Sequence, residues 1–256
     1  MATEDDERLV KSTERVRDLG EVFTPATTVE EMLDLFPATM WAVHPSPTFL
    51  EPACGDGNFL IAILTRKLAA VAKAYSSGKL PAGTSEEAAQ VHALEALASI
   101  YAVDISVENI IGGKVGHEIG ARERLLSAFT AWNLTTLNKQ LTERSLALRA
   151  AQWVVEHNLI IGNMLPLDIS GKPTGRNAIP IIEYNFEPKT LSVTLYKTTL
   201  GDVIESIAAE TAVKLSLFGP VAPEILWNGK AHKLADAERI EAPKLKGPAR
   251  NGTGRR

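Results

Sequence analysis

The stretch Phe49-Leu50-Glu51-Pro52-Ala53-Cys54-Gly55-Asp56-Gly57-Asn58-Phe59-Leu60 joins an apolar lead-in, an acid, a small-residue turn and an amphipathic continuation. That order suits a strand delivering a nucleotide-like ligand to a helix N-terminus. Gly55 and Gly57 tolerate tight backbone angles, and the lack of a Cβ lets the main chain approach a ligand closely. Glu51, just ahead of the turn, offers a carboxylate to a cationic group. A Gly-x-Gly turn alone says little, because many α/β proteins use one for packing.

Three further segments carry compatible chemistry. Gly20-Glu21-Val22-Phe23-Thr24-Pro25 precedes a helix-like run ending at Phe36. The Thr24 hydroxyl can donate to a carboxylate or cap that helix, and Pro25 has a φ suited to its first turn. Ser99 to Ile105 reads as a short buried strand closing on Asp104. An acid at the end of a second parallel strand accepts hydrogen bonds from ribose hydroxyls, and Asp104 also suits capping of a helix near Val107. Asn158 to Leu165 is another apolar run, broken at Gly162-Asn163. Asn163 fits either a ligand acceptor or a turn former.

In order and context these segments resemble the S-adenosylmethionine-dependent DNA methyltransferases that modify adenine, including the modification subunits of restriction systems. Glu51 to Leu60 is similar to their motif I. Gly20 to Pro25 is similar to the Gly-x-x-x-Thr-Pro segment that closes over the methionine end of the cofactor. The resemblance runs from about Gly20 to Pro188 and implies a Rossmann-like methyltransferase fold, S-adenosyl-L-methionine as cofactor and DNA as partner. It implies cofactor contacts from Thr24, Pro25, Glu51, Ala53, Gly55, Gly57, Asp104, Ile105 and Asn163. Glu51 would take the ammonium and Ile105 would flank the adenine ring. The family has Gly-Asp where this chain has Gly162-Asn163, and an amide oxygen can still accept from the adenine amino group.

The catalytic tetrapeptide departs from the family. Asn/Asp-Pro-Pro-Tyr/Phe supplies acceptors for the target amino group and a ring that stacks on the extruded base. This chain has neither Pro-Pro nor Asn-Pro. One substitute is Tyr184-Asn185-Phe186-Glu187-Pro188, following an apolar strand from Ala178 to Glu183, with Asn185 as acceptor and Phe186 or Tyr184 as stacking ring. The other is Asn163-Met164-Leu165-Pro166. The first is preferred, although its residues also fit a strand end and turn.

Positioning these groups requires alternating strands and helices. Helical spacing covers Thr24 to Phe36, Asn58 to about Tyr75, Glu86 to Ala98, most of Ser106 to Ala131, Thr135 to Glu156, and Asp202 to Leu217. Strands fall in the Glu51 segment, before Asp104, near Leu159, near Ile181 and at Leu191 to Tyr196. The alternation predicts an α/β fold, its sheet mostly parallel with helices on both faces. Residues 1–19 read as a charged arm, 20–217 as the methyltransferase-like domain, and 218–256 as an extension with a basic tail.

With 256 residues the chain can bury one substantial core. The single cysteine, Cys54, rules out an intrachain disulfide and fits a cytoplasmic location. The five histidines are scattered, so no metal is expected. No apolar run is long enough to span a membrane, and the N-terminus is unlike a secretory signal. A net charge of −4 does not favour a chain that grips DNA unaided. The tail, with Lys244, Lys246, Arg250, Arg255 and Arg256, could touch phosphates.

Self-sufficient enzymes of this kind carry a large recognition domain, and nothing of that size follows Tyr196. A specificity subunit or a homo-oligomer is therefore an expected partner. Two rivals stand beside the enzyme reading: a subunit that binds without catalysing, and a methyltransferase acting on RNA, protein or a small molecule. A nicotinamide enzyme is remote, since Leu60 stands where its third glycine would fall.

Overall fold

The computed structural model describes residues 24–81, 83–113, 119–187, 189–190, 192–215 and 239–241. The fold is mixed α/β. β1 (Phe49–Glu51), β2 (Ile100–Asp104) and β3 (Leu159–Ile161) form an all-parallel sheet in the order β1-β2-β3. Parallel neighbours need long crossovers. Between β1 and β2 these are α2 (Asn58–Ser76) and α3 (Glu86–Ala98). Between β2 and β3 run α4 (Val107–Ile110), α5 (Ala121–Leu137) and α6 (Leu146–Asn158). A short helix, α1 (Ala26–Asp34), precedes β1.

Helix α2 buries Leu60, Ile63, Leu64, Lys67, Leu68 and Val71, the stripe that a period of 3.6 residues places on one face. Lys67 is 1% exposed, and its ammonium escapes the apolar layer by donating to Ser46 Oγ at 2.7 Å and the Pro47 carbonyl at 2.6 Å. Burial pulls its pKa down to about 8. Helix α3 starts at Ser85, whose side chain accepts from the Ala88 amide, with Glu86 and Glu87 in the first turn. Its small residues are buried nearly all round, so neighbouring elements pack closely on every side. Helix α5 ends at Asn138, a left-handed cap with φ 51°. The break between α5 and α6 thus falls later than the helical spacing suggests.

Side chains alternate across the parallel sheet. Phe49, Ile100, Ala102 and Leu159 join the main core with the helices. Val103 and Ile160 pack instead against Ile179, Ile181 and Leu200. Ile181 belongs to a second sheet, which Ile179 and Leu200 flank, and in which β4 (Pro180–Glu187) pairs antiparallel with β5 (Ser192–Thr199) and β6 (Arg239–Glu241) adds to β5. Tyr101 Oη donates to the Ile182 carbonyl at 2.6 Å, tying β2 to β4. β5 runs directly into α7 (Leu200–Leu215). The second face of the parallel sheet is therefore covered by a β-hairpin and the start of a helix, where helices alone were expected.

The hairpin also corrects the reading of Tyr184 to Glu187 as a loop after a strand. Ile182 and Phe186 are buried while Glu183, Asn185 and Glu187 are exposed, the alternation of a continuing strand. Among the described residues no helix is long and apolar enough to cross a membrane. The expected arm over residues 1–19 lies outside the described residues, as does the basic tail.

Candidate functional site

A cleft of about 1140 Å³ opens where the three parallel strands end. Thr24, Glu51, Ala53, Gly55, Asp104, Ile105 and Asn163 all line it, so residues from four separate segments meet at one hollow. Pro25 and Gly57 are not among its lining residues.

The turn after β1 is fixed from several sides. The Cys54 amide donates to the Val103 carbonyl at 3.2 Å, tying the turn to β2 beyond the last paired residue of β1. Asp104 Oδ2 accepts from the Gly55 amide at 2.8 Å. Asp104 Oδ1 accepts from the Ser106 amide at 2.8 Å and from Asn109 Nδ2 at 3.2 Å. A carboxylate offers about four lone-pair positions, so one remains for a ligand hydroxyl. Capping of α4 falls to Ser106, whose side chain accepts from the Asn109 amide.

Gly57 has φ 99°, and a Cβ there would lie 3.1 Å from Ala121 Cβ. Its role is to let the turn pack against the first residue of α5. Pro25 is the N-cap of α1 and Ala26 its first residue, so Pro25 sits one place earlier than a first-turn proline, and no side chain caps this helix. Thr24 lies one residue further out. Its carbonyl accepts from Asn58 Nδ2 at 3.0 Å, which latches the segment before α1 to the start of α2.

The spacing of motifs did not single out Asn58, Asn109 or Arg124. Arg124 Nη2 donates to Asn58 Oδ1 at 3.0 Å and Nη1 to the Asp56 carbonyl at 2.9 Å. Arg124 Nη1 also lies 2.9 Å from Asp56 Oδ1 as an ion pair. That oxygen is buried and has no well-aligned hydrogen-bond donor, so charge rather than directional bonding holds it. One arginine from α5 thus braces the whole turn. No local signal in the sequence marks it, because its partners are 66 and 68 residues away.

The lining is acidic. Among the described residues, Glu51, Asp56, Asp104 and Asp168 face it against one lining cation, Arg176. Burial raises the Glu51 carboxyl above the ordinary range, the Ala53 amide at 3.2 Å partly offsets this, and the Asp104 charge adds to the rise. The Cys54 thiol is driven far up by burial and by Asp104, Glu51 and Asp56, which keeps it protonated and unreactive. Asn163 Oδ1 accepts from the Leu165 amide at 2.9 Å, so the side chain forms a turn while facing the cleft. Ile105, Leu165 and Ile169 add exposed apolar surface to the same walls.

Tyr184, Asn185 and Phe186 lie apart from this cleft. Tyr184 Oη donates to Asn158 Oδ1 at 2.6 Å, and its ring packs among Trp153, Tyr101 and Phe186. Phe186 belongs to the main core. Asn185 projects from the opposite face of β4 and is exposed. The strand's alternation therefore separates the amide from both rings. Comparison with protein-family models, curated proteins and solved structures finds no match for this chain.

Proposed function

We propose that the cleft binds S-adenosyl-L-methionine and that the protein methylates the exocyclic amino group of adenine in DNA. The observation that carries this reading is the meeting of Glu51, Asp104 and the Gly55 turn around one open, acidic hollow. An acidic lining favours a ligand bearing an ammonium and a sulfonium. It disfavours the pyrophosphate of a nicotinamide dinucleotide. A turn after β1, an acid after β2 and the order β1-β2-β3 agree with one half of a Rossmann-like sheet, in which ligands sit at the carboxyl ends of the strands.

Glu51 holds the ammonium, and the free lone pair of Asp104 takes a ribose hydroxyl. The Gly55 turn lets the main chain close on the ligand, and Ile105 covers one face of the adenine. Thr24, latched by Asn58, donates its hydroxyl to the carboxylate end. The bound cofactor supplies a methyl group on a good leaving group, so the chain's work is mainly positioning. Ligand pockets commonly measure about 300–1,000 Å³, and a cleft of about 1140 Å³ has room for an acceptor beside the cofactor. Asn163 offers the polar contact for that acceptor, and Leu165 and Ile169 offer apolar faces to an extruded base. DNA as acceptor rests on the Thr24-Pro25 segment ahead of the turn, with a specificity subunit or second copy supplying target recognition.

A second reading, a subunit that binds cofactor or partner without catalysing, is favoured by the burial of Tyr184 and Phe186 away from Asn185. Transfer of labelled methyl to DNA and to RNA, with cofactor binding measured in parallel, separates the two. Label on DNA supports the enzyme reading, and label on RNA replaces the acceptor. Cofactor bound with no label transferred selects the binding subunit.

A further inference from the structure

At the other end of the parallel strands, away from the cleft, three side chains converge with no part in the proposed reaction. His44 lies in the loop that leads into β1, with Nδ1 2.9 Å from each carboxylate oxygen of Glu95 on α3. His92 lies three residues before Glu95 on the same helix face, with Nδ1 3.4 Å from Glu95 Oε2. One donor atom from each of the three falls within 4.8 Å of the others. Histidines scattered along the sequence gave no hint of this, because the loop and the helix meet only in the fold.

The tautomer of His92 makes the cluster unusual. Its Nε2 is 2.8 Å from the Pro81 carbonyl, an oxygen that can only accept, so Nε2 carries the proton. In a neutral ring Nδ1 is then a bare lone pair, and it faces a carboxylate oxygen. Two acceptors facing each other need a cation between them, the more so because His92 is 0% exposed. Glu95 Oε1 is meanwhile oriented by the Ser46 amide at 3.0 Å. Lys67 feels the Glu95 charge, but its ammonium donates to Ser46 Oγ and the Pro47 carbonyl instead of sitting between Glu95 and the His92 ring.

We propose that His44, His92 and Glu95 bind a divalent transition-metal ion, zinc foremost. Two imidazoles and a carboxylate are a zinc ligand set. The bond from His92 Nε2 to a backbone carbonyl is the outer contact that fixes a ligating ring in its tautomer. Zinc bonds of about 2.0–2.2 Å require the donors to close to within about 4 Å of one another, and His44, loop-borne with its side chain 32% exposed, can make that shift. The same exposure gives the ion a path in and leaves its outer position to water. The ion would clamp the loop before β1 onto α3. The inference is independent of the methyltransferase reading.

The test is a titration of the full chain, stripped with chelator and dialysed, with Zn²⁺ against a chromogenic competitor and with Co²⁺ for ligand-field absorption. The expected result is one equivalent of Zn²⁺ that displaces Co²⁺ and raises the melting temperature, with no comparable response to Mg²⁺. His44→Ala, at an exposed position, should weaken Zn²⁺ by more than the roughly 10–100-fold lost with an outer-shell partner. Glu95→Gln should do the same. Absence of stoichiometric Zn²⁺ binding, a matching response to Mg²⁺, or unchanged affinity in both variants would overturn the proposal and leave His92 and Glu95 joined by a proton alone.

Discussion

The Asp104 carboxylate and the Gly55 amide meet at 2.8 Å, tying the turn after β1 to the end of β2. Asp104 is buried and also receives Ser106 and Asn109, so it organises the site before any ligand arrives. Asp104→Asn keeps the size but turns an acceptor into a donor facing donors. Hydrogen bonds to charged groups contribute about 1.5–3 kcal/mol, and a loss of about that size is expected in urea denaturation.

Glu51→Gln should separate stability from binding. Its carboxyl is raised by burial and by Asp104, so ionisation is harder in the folded chain than in the unfolded one. The resulting penalty is absent below the unfolded pKa and complete above the folded one. The variant should therefore be at least as stable as the wild type at neutral pH, with the gap closing as pH falls through the raised pKa. Its affinity for an ammonium-bearing ligand should drop, as should that of the wild type at acid pH. Thermal melts and calorimetry across pH check both.

Gly57→Ala places a Cβ at φ 99° and 3.1 Å from Ala121 Cβ. A non-glycine residue in such a conformation costs on the order of 1–3 kcal/mol. The melting temperature should fall accordingly, and saturating ligand should restore only part of it.

The hairpin residues should behave as packing. Phe186→Ala should cost about 3–5 kcal/mol, the usual range for a core phenylalanine. Tyr184→Phe removes one hydrogen bond, to Asn158, worth about 1 kcal/mol. Asn185→Ala should stay within about 0.5 kcal/mol. Cofactor affinity measured on the folded Tyr184 and Asn185 variants should be unchanged.

Cys54 should resist alkylation in the native chain at mildly alkaline pH and react freely in denaturant, because burial and three nearby acids hold its thiol protonated. Rapid labelling of the folded protein would contradict the electrostatic description of the cleft.

Much of the site was legible because its chemistry is local in sequence. A strand, a two-glycine turn and a helix are written in consecutive residues, and Asp104 ends an apolar run. The start of α3 is plain in the sequence, since Ser85 and the two glutamates mark it. What escaped depends on contacts between distant segments. Arg124 bracing Asp56 and Asn58, or His44 meeting His92 and Glu95, leaves no periodic trace. The hairpin over the second sheet face escapes because Asn185 and Pro188 favour a turn, while the strand is held by its pairing with residues 192–195. Burial of Ile182 and Phe186 on one face outweighed local preference.

Calorimetric titration of S-adenosyl-L-methionine into wild-type protein and Asp104→Asn tests the central claim most directly. The account predicts saturable binding at one site per chain, weakened at least about tenfold in the variant, a difference of about 1.4 kcal/mol. No heat from the wild type, or identical affinity in a variant shown by its melt to be folded, would contradict it.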